Sequence, residues 1–292
     1  MQKLQHWFLA TRPKTLGIAI APVMAGSALA WLDTANWSWL TLVLTLFSAL
    51  AIQIGTNLYN DAVDFEHGTD TPARLGPKRA SAEGWFSSDQ VKLAAHISFF
   101  LALLAGIPLT RIGGWPILLI GLSSLVAGYA YTGGPKPIAY STTGEMFVFI
   151  YFGLAAVMGS YYLQTGGLSL NALLVSIAVG SFAAAVLLVN NYRDLDTDIL
   201  ANKLTLAHRL GRCHSQRLYT TLVLAPFVLP LLLIDSGIGT WLILPLLPFA
   251  LLLAWRFRHQ SPGPDFNRTL SYTAQLQLLF VLLLIIGLMA ID

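Results

Sequence analysis

From Met146 to Tyr192 the chain reads MFVFIYFGLAAVMGSYYLQTGGLSLNALLVSIAVGSFAAAVLLVNNY, with no Asp, Glu, Lys or Arg. A membrane-crossing helix needs about 20 predominantly apolar residues. This run is too long for one such helix, and Gln164-Thr165-Gly166-Gly167 is its natural break. Working outward, the same criterion finds charge-free runs at 16–32, 38–59, 93–110, 115–133, 143–163, 170–190, 218–234, 238–255 and 270–291. The expectation is an all-α polytopic membrane protein of nine transmembrane helices. No ten-residue alternating segments of a membrane β-barrel are present.

Composition agrees. Of 292 residues, 55% are hydrophobic and 11% charged, and mean hydropathy is +0.65. A soluble chain carries about 25% charged residues, so a soluble enzyme, a disordered chain and a nucleic-acid binder are excluded despite the pI near 9.0. One cysteine, Cys213, leaves no disulfide framework. Placing the connections on alternate sides puts 16 of the 17 Lys and Arg residues on one side and Arg111 alone on the other. Lys/Arg excess marks the cytoplasmic face. The expected N-terminus is therefore cytoplasmic, in the cell (inner) membrane. Lys3, Arg12 and Lys14 before an apolar run ending Ala28-Leu29-Ala30 resemble a secretory signal, but removing that span would invert the charge rule.

Two polar tracts follow apolar helices on the basic side. The first is Asn57-Leu-Tyr-Asn60-Asp61-Ala-Val-Asp64-Phe-Glu66-His67-Gly-Thr-Asp70, and the second is Asn190-Asn191-Tyr192-Arg193-Asp194-Leu-Asp196-Thr-Asp198. Residues three and four apart share a helix face. If the helices continue, Asn57 pairs with Asp61 and Asn60 with Asp64. Asn190, Asp194 and Asp198 align likewise, with Asn191 beside Asp194 and Asp196 opposite. Oxygen-only sets of this kind suit Mg2+ held together with substrate phosphates. The candidate ligands are Asn60, Asp61, Asp64, Asp194 and Asp198. Solvated helix ends also favour Asp and Asn, so one tract alone would be ambiguous. The pattern repeats, however. Asn57-x-Tyr59-x-Asp61 recurs as Asn190-x-Tyr192-x-Asp194, and Arg74-Leu75-Gly76 as Arg209-Leu210-Gly211. One domain over 1–292 with duplicated halves, about 1–140 and 141–292, is expected, its site between them. Arg74, Lys78 and Arg79 follow the first tract and Lys203 and Arg209 the second, where they can neutralise a metal-bound diphosphate. A transporter of an anionic solute is the rival from another class. It predicts charged groups near mid-membrane, and the spans hold almost none.

These residues resemble the UbiA superfamily of intramembrane prenyltransferases. The first tract resembles its Asn/Asp-rich motif. Asp194-x-x-x-Asp198 with Lys203-Leu-Thr205-Leu-Ala-His-Arg209-Leu-Gly211 resembles its second aspartate motif. Further strings resemble the naphthoate branch of that superfamily: Arg12-Pro13-Lys14-Thr15-Leu16, Gln53-Ile-Gly55-Thr-Asn57-Leu-Tyr-Asn60-Asp61, Phe65-Glu-His-Gly68-Thr69-Asp70-Thr71 and Tyr131-Thr-Gly133-Gly134-Pro135. Gly68 stands where the hydroxybenzoate branch has another Asp, and the family's Tyr…Lys motif is loosely matched by Tyr131 and Lys136. The resemblance implies a polyprenyl diphosphate with its tail in the bilayer-embedded bundle, Mg2+ at the aspartate motifs, and an allylic cation attacking an aromatic acceptor. In the naphthoate branch the acceptor is 1,4-dihydroxy-2-naphthoate. It loses CO2, and the product is demethylmenaquinone, an intermediate of menaquinone biosynthesis. The alternative within the family is another acceptor, such as 4-hydroxybenzoate, or another donor chain. The same resemblance puts Asn57, Asp70, Tyr131, Asn190 and Asn191 with the substrates. It also places Arg12, joined by Lys14, where a bidentate guanidinium can meet the acceptor carboxylate.

Overall fold

The computed structural model describes residues 2–35, 37–69, 75–233 and 238–290. Among them there is no strand, and seven helices are long and apolar enough to cross a membrane. The helices are α1 (Gln2–Ala10), α2 (Pro13–Thr34), α3 (Trp39–Glu66), α4 (Ser88–Ala130), α5 (Gly144–Val148), α6 (Gly159–Thr165), α7 (Leu170–Arg193), α8 (Leu195–Leu200), α9 (Leu206–Leu224), α10 (Leu229–Leu232), α11 (Leu247–His259) and α12 (Phe266–Met289). A π-helical stretch, Phe149–Met158, joins α5 to α6 into one membrane-length rod.

Starts and stops follow local chemistry. Ser38, Ser87 and Ser169 cap α3, α4 and α7 through their hydroxyls, and Ser87 forms a reciprocal capping box with Gln90. The expected spans 218–234 and 238–255 are not single α-helices. Pro226, Pro230 and Pro245 lack the N–H that an α-helical turn requires, and tighter 3-10 turns replace it at Ala225–Val228 and Ile238–Leu246.

The expected spans 93–110 and 115–133 both fall within α4. A straight 43-residue helix would be about 64 Å long, roughly twice a bilayer core. It is not straight: Gly114 breaks it at φ 67°, ψ −155°. The rings of Phe99 and Tyr129 lie 4.7 Å apart, whereas a straight helix would separate these residues by about 45 Å. The two arms are therefore antiparallel.

The core lies between α2, α7 and α12. α7 is buried almost all round, with Val179, Phe182, Ala185, Leu188 and Val189 against Ala21, Ala25, Phe280 and Leu284. The π-helical stretch crosses α7 closely, because a Cβ on Gly153 would fall 2.6 Å from the Ser176 carbonyl oxygen. Small residues at such crossings are how membrane helices approach. α3 and α4 instead turn Val43, Phe47, Phe100, Leu104 and Trp115 outward, as a lipid-facing surface requires.

Long-range contacts sort the ends of the bundle. Arg12 reaches Asn60, Tyr140 and Lys203 reach Asp64, and Asn267 reaches Leu75 at one end. Ser38 bonds Gln164 at the other.

Candidate active site

α3 carries the first polar tract as helix through Glu66, not as a loop. The predicted register holds: Asn60 Nδ2 donates to Asp64 Oδ2 at 3.1 Å, one turn on. Both side chains are buried, so their remaining oxygens need partners. Arg79, on the segment returning from residue 75, supplies two, donating to Asn60 Oδ1 at 2.6 Å and Asp64 Oδ2 at 3.0 Å. Arg12 donates to the same Asn60 oxygen at 2.9 Å. Its backbone is left-handed (φ 57°) at the entrance to α2, where Pro13 begins the helix. Tyr140 donates its hydroxyl to Asp64 Oδ1 at 2.9 Å. Burial, and then the Asp64 charge, push this phenol well above its ordinary value, so it stays a neutral donor.

Lys203 joins the two tracts. Its Nζ lies 3.9 Å from Asp64 Oδ2, 3.8 Å from Asp198 Oδ1 and 5.0 Å above the Tyr140 ring. Burial pushes the Asp198 carboxyl up to about 6; Lys203 opposes that shift, and the Asp194 charge adds to it.

Not every expected ligand faces this point. Asp61 accepts the backbone N–H groups of Ala80 (2.7 Å) and Ser81 (2.9 Å), anchoring the segment that presents Arg79. Asp194 is taken by Arg193, whose wholly buried guanidinium donates to both its oxygens at 2.7 and 2.5 Å. Arg193 also donates to Asn190 (2.8 Å) and Asn267 (2.6 Å), and Asn267 Nδ2 ties back to the Leu75 carbonyl at 2.9 Å. Asp196 pairs with Arg212 on the exposed surface, off the shared face as predicted. Lys78 pairs with Glu83 at the surface, and Lys14 and Arg209 are exposed. Asp70 and Arg74 lie outside the described residues.

Beneath the polar cluster is a cavity of about 590 Å³, within the range of small-molecule sites. Arg12, Asn57, Asn60, Asp64, Arg79, Tyr131, Asn190, Asn191 and Lys203 line its polar end. Asn57 is turned by a bond from its amide to the Thr11 carbonyl, 3.1 Å. The walls are apolar, from Ile18, Ile52, Leu103, Ile107, Leu118 and Phe152. The cavity continues to Leu109, Ile117 and Leu163, which pack together beside the α4 hairpin turn. It thus runs from the polar face through most of the bundle.

Arg12, Arg79 and Lys203 line the mouth with Asp64, Asp198 meets Lys203 from outside that lining, and Asp194 is neutralised by Arg193. The excess of positive charge attracts an anion. Among the described residues, no three carboxylate, histidine or thiolate groups converge on one point. Asp64 and Asp198, both oxygen donors and both within 4 Å of Lys203, nonetheless fit Mg2+ when a diphosphate supplies the other ligands.

Spacing did not point to Tyr140, Arg193, Asn267 or Glu145. Arg193 carried one signal: a cation directly beside Asp194 at the end of the longest charge-free run.

Fold and site together define a helical membrane protein with a cluster of Arg, Lys and Asp side chains at one face over a deep apolar cavity. Residues 19–279 match the model of the UbiA prenyltransferase family, and the chain belongs to that family. It is similar to the 1,4-dihydroxy-2-naphthoate octaprenyltransferase of Mycobacterium tuberculosis (strain ATCC 25618 / H37Rv), 36% identical over 285 residues, covering 97% of this chain and 96% of that one. Against the 1,4-dihydroxy-2-naphthoate octaprenyltransferase of Escherichia coli (strain K12), identity is 34% over 295 residues, with coverage again 97% and 96%. Among solved structures, a UbiA homolog from Archaeoglobus fulgidus bound to GPP and Mg2+ superposes with a TM-score of 0.72 at 17% identity, covering 97% of this chain and 99% of that one. That likeness is one of fold.

Proposed function

We propose that this chain transfers a polyprenyl group from polyprenyl diphosphate to 1,4-dihydroxy-2-naphthoate, with loss of the acceptor's carboxylate as CO2, giving demethylmenaquinone in its reduced form. The observation that carries the reading is the meeting of Asp64 and Asp198 across Lys203, with Asp64 and Lys203 on the lining of a deep apolar cavity. Relatives at 36% and 34% identity bear the name of this activity.

The residues divide the work. Arg79 and Lys203 bind the diphosphate and hold it at the face of the bundle, and Arg12 meets the carboxylate of the acceptor. Asp64 and Asp198, with Asn60, would hold Mg2+, which neutralises charge building on the leaving diphosphate. Tyr140 keeps the Asp64 carboxylate oriented. The cavity walls sheath the prenyl tail and keep water from the allylic cation formed as the C1–O bond breaks. The acceptor ring carbon then forms the new C–C bond, and CO2 departs from that carbon.

We further infer nine passes, with the site on the cytoplasmic face of the cell membrane. The α4 hairpin counts as two passes and α9 with α10 as one. The alternation of spans, which puts 16 of the 17 Lys and Arg residues on one side, supports that orientation. The test of function is turnover by the purified protein against a panel of acceptors and prenyl diphosphates. Prenylation of 4-hydroxybenzoate in preference to the naphthoate would overturn the acceptor assignment. Full activity in EDTA would overturn the metal.

A further inference from the structure

Glu145, on the first turn of α5, is 4% exposed. Its Oε1 accepts the amide nitrogen of Asn191 at 2.9 Å. Its Oε2 is buried with no hydrogen-bond partner. A carboxylate left half satisfied in a helical bundle is a cost that folding alone does not require, since an apolar side chain of similar size would pack there without it. Asn191 lines the cavity, whereas Glu145 lies behind it.

The consequence is directional. An amide has two donors on nitrogen and an acceptor on oxygen. One N–H of Asn191 is given to Glu145, which holds the nitrogen side of the amide there, and the oxygen is the acceptor that the amide offers to the cavity. Diphosphate oxygens and a substrate carboxylate only accept, and a prenyl tail does neither. Of the groups on the two substrates, only a ring hydroxyl can donate to this oxygen. The neighbouring walls, Val148, Phe152 and Leu187, are apolar and suit a flat ring.

We propose that Glu145 turns the Asn191 amide so that Asn191 Oδ1 receives a hydrogen bond from a ring hydroxyl of the aromatic acceptor. This assigns Asn191 to the acceptor rather than the diphosphate, makes Glu145 a positioning residue, and rests on the function proposed above.

The test measures equilibrium binding to the full-length protein in detergent. The probes are 1,4-dihydroxy-2-naphthoate, its 1,4-dimethoxy ether and a prenyl thiodiphosphate. Wild type is expected to favour the dihydroxy compound over the ether by roughly tenfold or more, because a site built for a hydroxyl rejects an analogue that lacks the donor. In Glu145→Ala and Asn191→Ala that ratio falls towards one, while the thiodiphosphate Kd stays within about twofold. Glu145→Gln, which keeps an oxygen for the Asn191 amide, retains more of the ratio than Glu145→Ala. An unchanged ratio in both alanine variants overturns the proposal, as does a weakened thiodiphosphate Kd with the ratio intact. Should Glu145→Ala lose thiodiphosphate binding through misfolding, Asn191→Ala decides. Wild-type turnover is measured in parallel. Prenyl transfer with an unchanged ratio defeats this subsite alone. Selective binding without transfer defeats the functional reading and leaves the hydroxyl site standing. No binding of the naphthoate overturns both.

Discussion

The Lys203 ammonium lies 3.9 Å from the carboxylate of Asp64, joining the second polar tract to the first. A lysine between two buried carboxylates would suffice as a structural tie, but Lys203 also lines the cavity. Lys203→Met should therefore raise donor KM more than it lowers thermal stability. Losing one charge-assisted contact to the diphosphate corresponds to about 1.5–3 kcal/mol, or roughly ten- to hundredfold in donor KM. Steady-state kinetics at fixed acceptor check this. An unchanged donor KM would make Lys203 a tie only.

Asp64 and Asp196 make a matched pair for testing the site's position. Asp64 is buried and meets Asn60, Arg79 and Tyr140, whereas Asp196 is exposed and pairs with Arg212. Asp64→Asn should lower kcat at least about a hundredfold, the scale of removing one preorganised electrostatic group. Asp196→Asn should stay within about twofold, because an exposed ion pair contributes little. Equal losses in the two variants would move the site.

What could be read from sequence was whatever depended on local spacing. Asn60 and Asp64 are one turn apart and bond as that spacing requires, and Asp196 falls on the opposite face. The apolar runs marked the membrane segments, although prolines at 226, 230 and 245 replaced regular helix with tighter turns. Partners brought from elsewhere in the chain were not legible. The Ala80 and Ser81 N–H groups claim Asp61, Arg193 claims Asp194, and Tyr140 arrives from a Gly/Pro-rich tract. Charge type did not say which way a loop side chain points, so Arg79 reaches the site while its neighbour Lys78 stays on the surface. The two tracts meet at Lys203 but are not equivalent: one captures its own aspartate with Arg193 and the other does not.

Asp61 illustrates a different loss. Asp61→Ala leaves two buried backbone donors, on Ala80 and Ser81, without their acceptor. Unsatisfied buried groups cost about 1–3 kcal/mol each, and Arg79 would lose its anchor. The expected result is a lower melting temperature in detergent together with a higher donor KM. Asp61→Asn, which keeps one acceptor oxygen, should lose less stability. Full stability in Asp61→Ala with activity abolished would instead place Asp61 among the groups that touch substrate or metal.

Gly114 turns α4 back on itself at positive φ, and a Cβ there would meet only the Pro116 side chain, at 3.8 Å. The penalty of substitution is therefore conformational rather than steric. Gly114→Ala and Gly114→Asn should both destabilise, by about 1–3 kcal/mol, because this combination of φ and ψ lies outside the left-handed helical region that asparagine tolerates and is essentially confined to glycine. Melting temperatures of the two variants check this, and either variant proving as stable as glycine would mean the hairpin turns differently.

Arg12 is the residue on which the acceptor assignment can be tested most directly. Its string Arg12-Pro13-Lys14-Thr15 suggested a guanidinium for the acceptor carboxylate. The structure places its terminal nitrogen 2.9 Å from Asn60 Oδ1, on the lining of the cavity that Tyr131 and Lys203 also line. Lys14, two residues on, is exposed and outside that lining, so the pair divides: Arg12 lines the cavity and Lys14 does not. Arg12→Lys keeps the charge, and with it the orientation in the membrane, but loses the planar fork that matches a carboxylate. The expected outcome is a higher acceptor KM, by roughly tenfold, with donor KM and membrane insertion little changed. Lys14→Gln should alter neither KM. If Arg12→Lys instead raises donor KM alone, its guanidinium belongs with Arg79 on the diphosphate. The acceptor carboxylate would then need another cation among the residues of the cavity mouth.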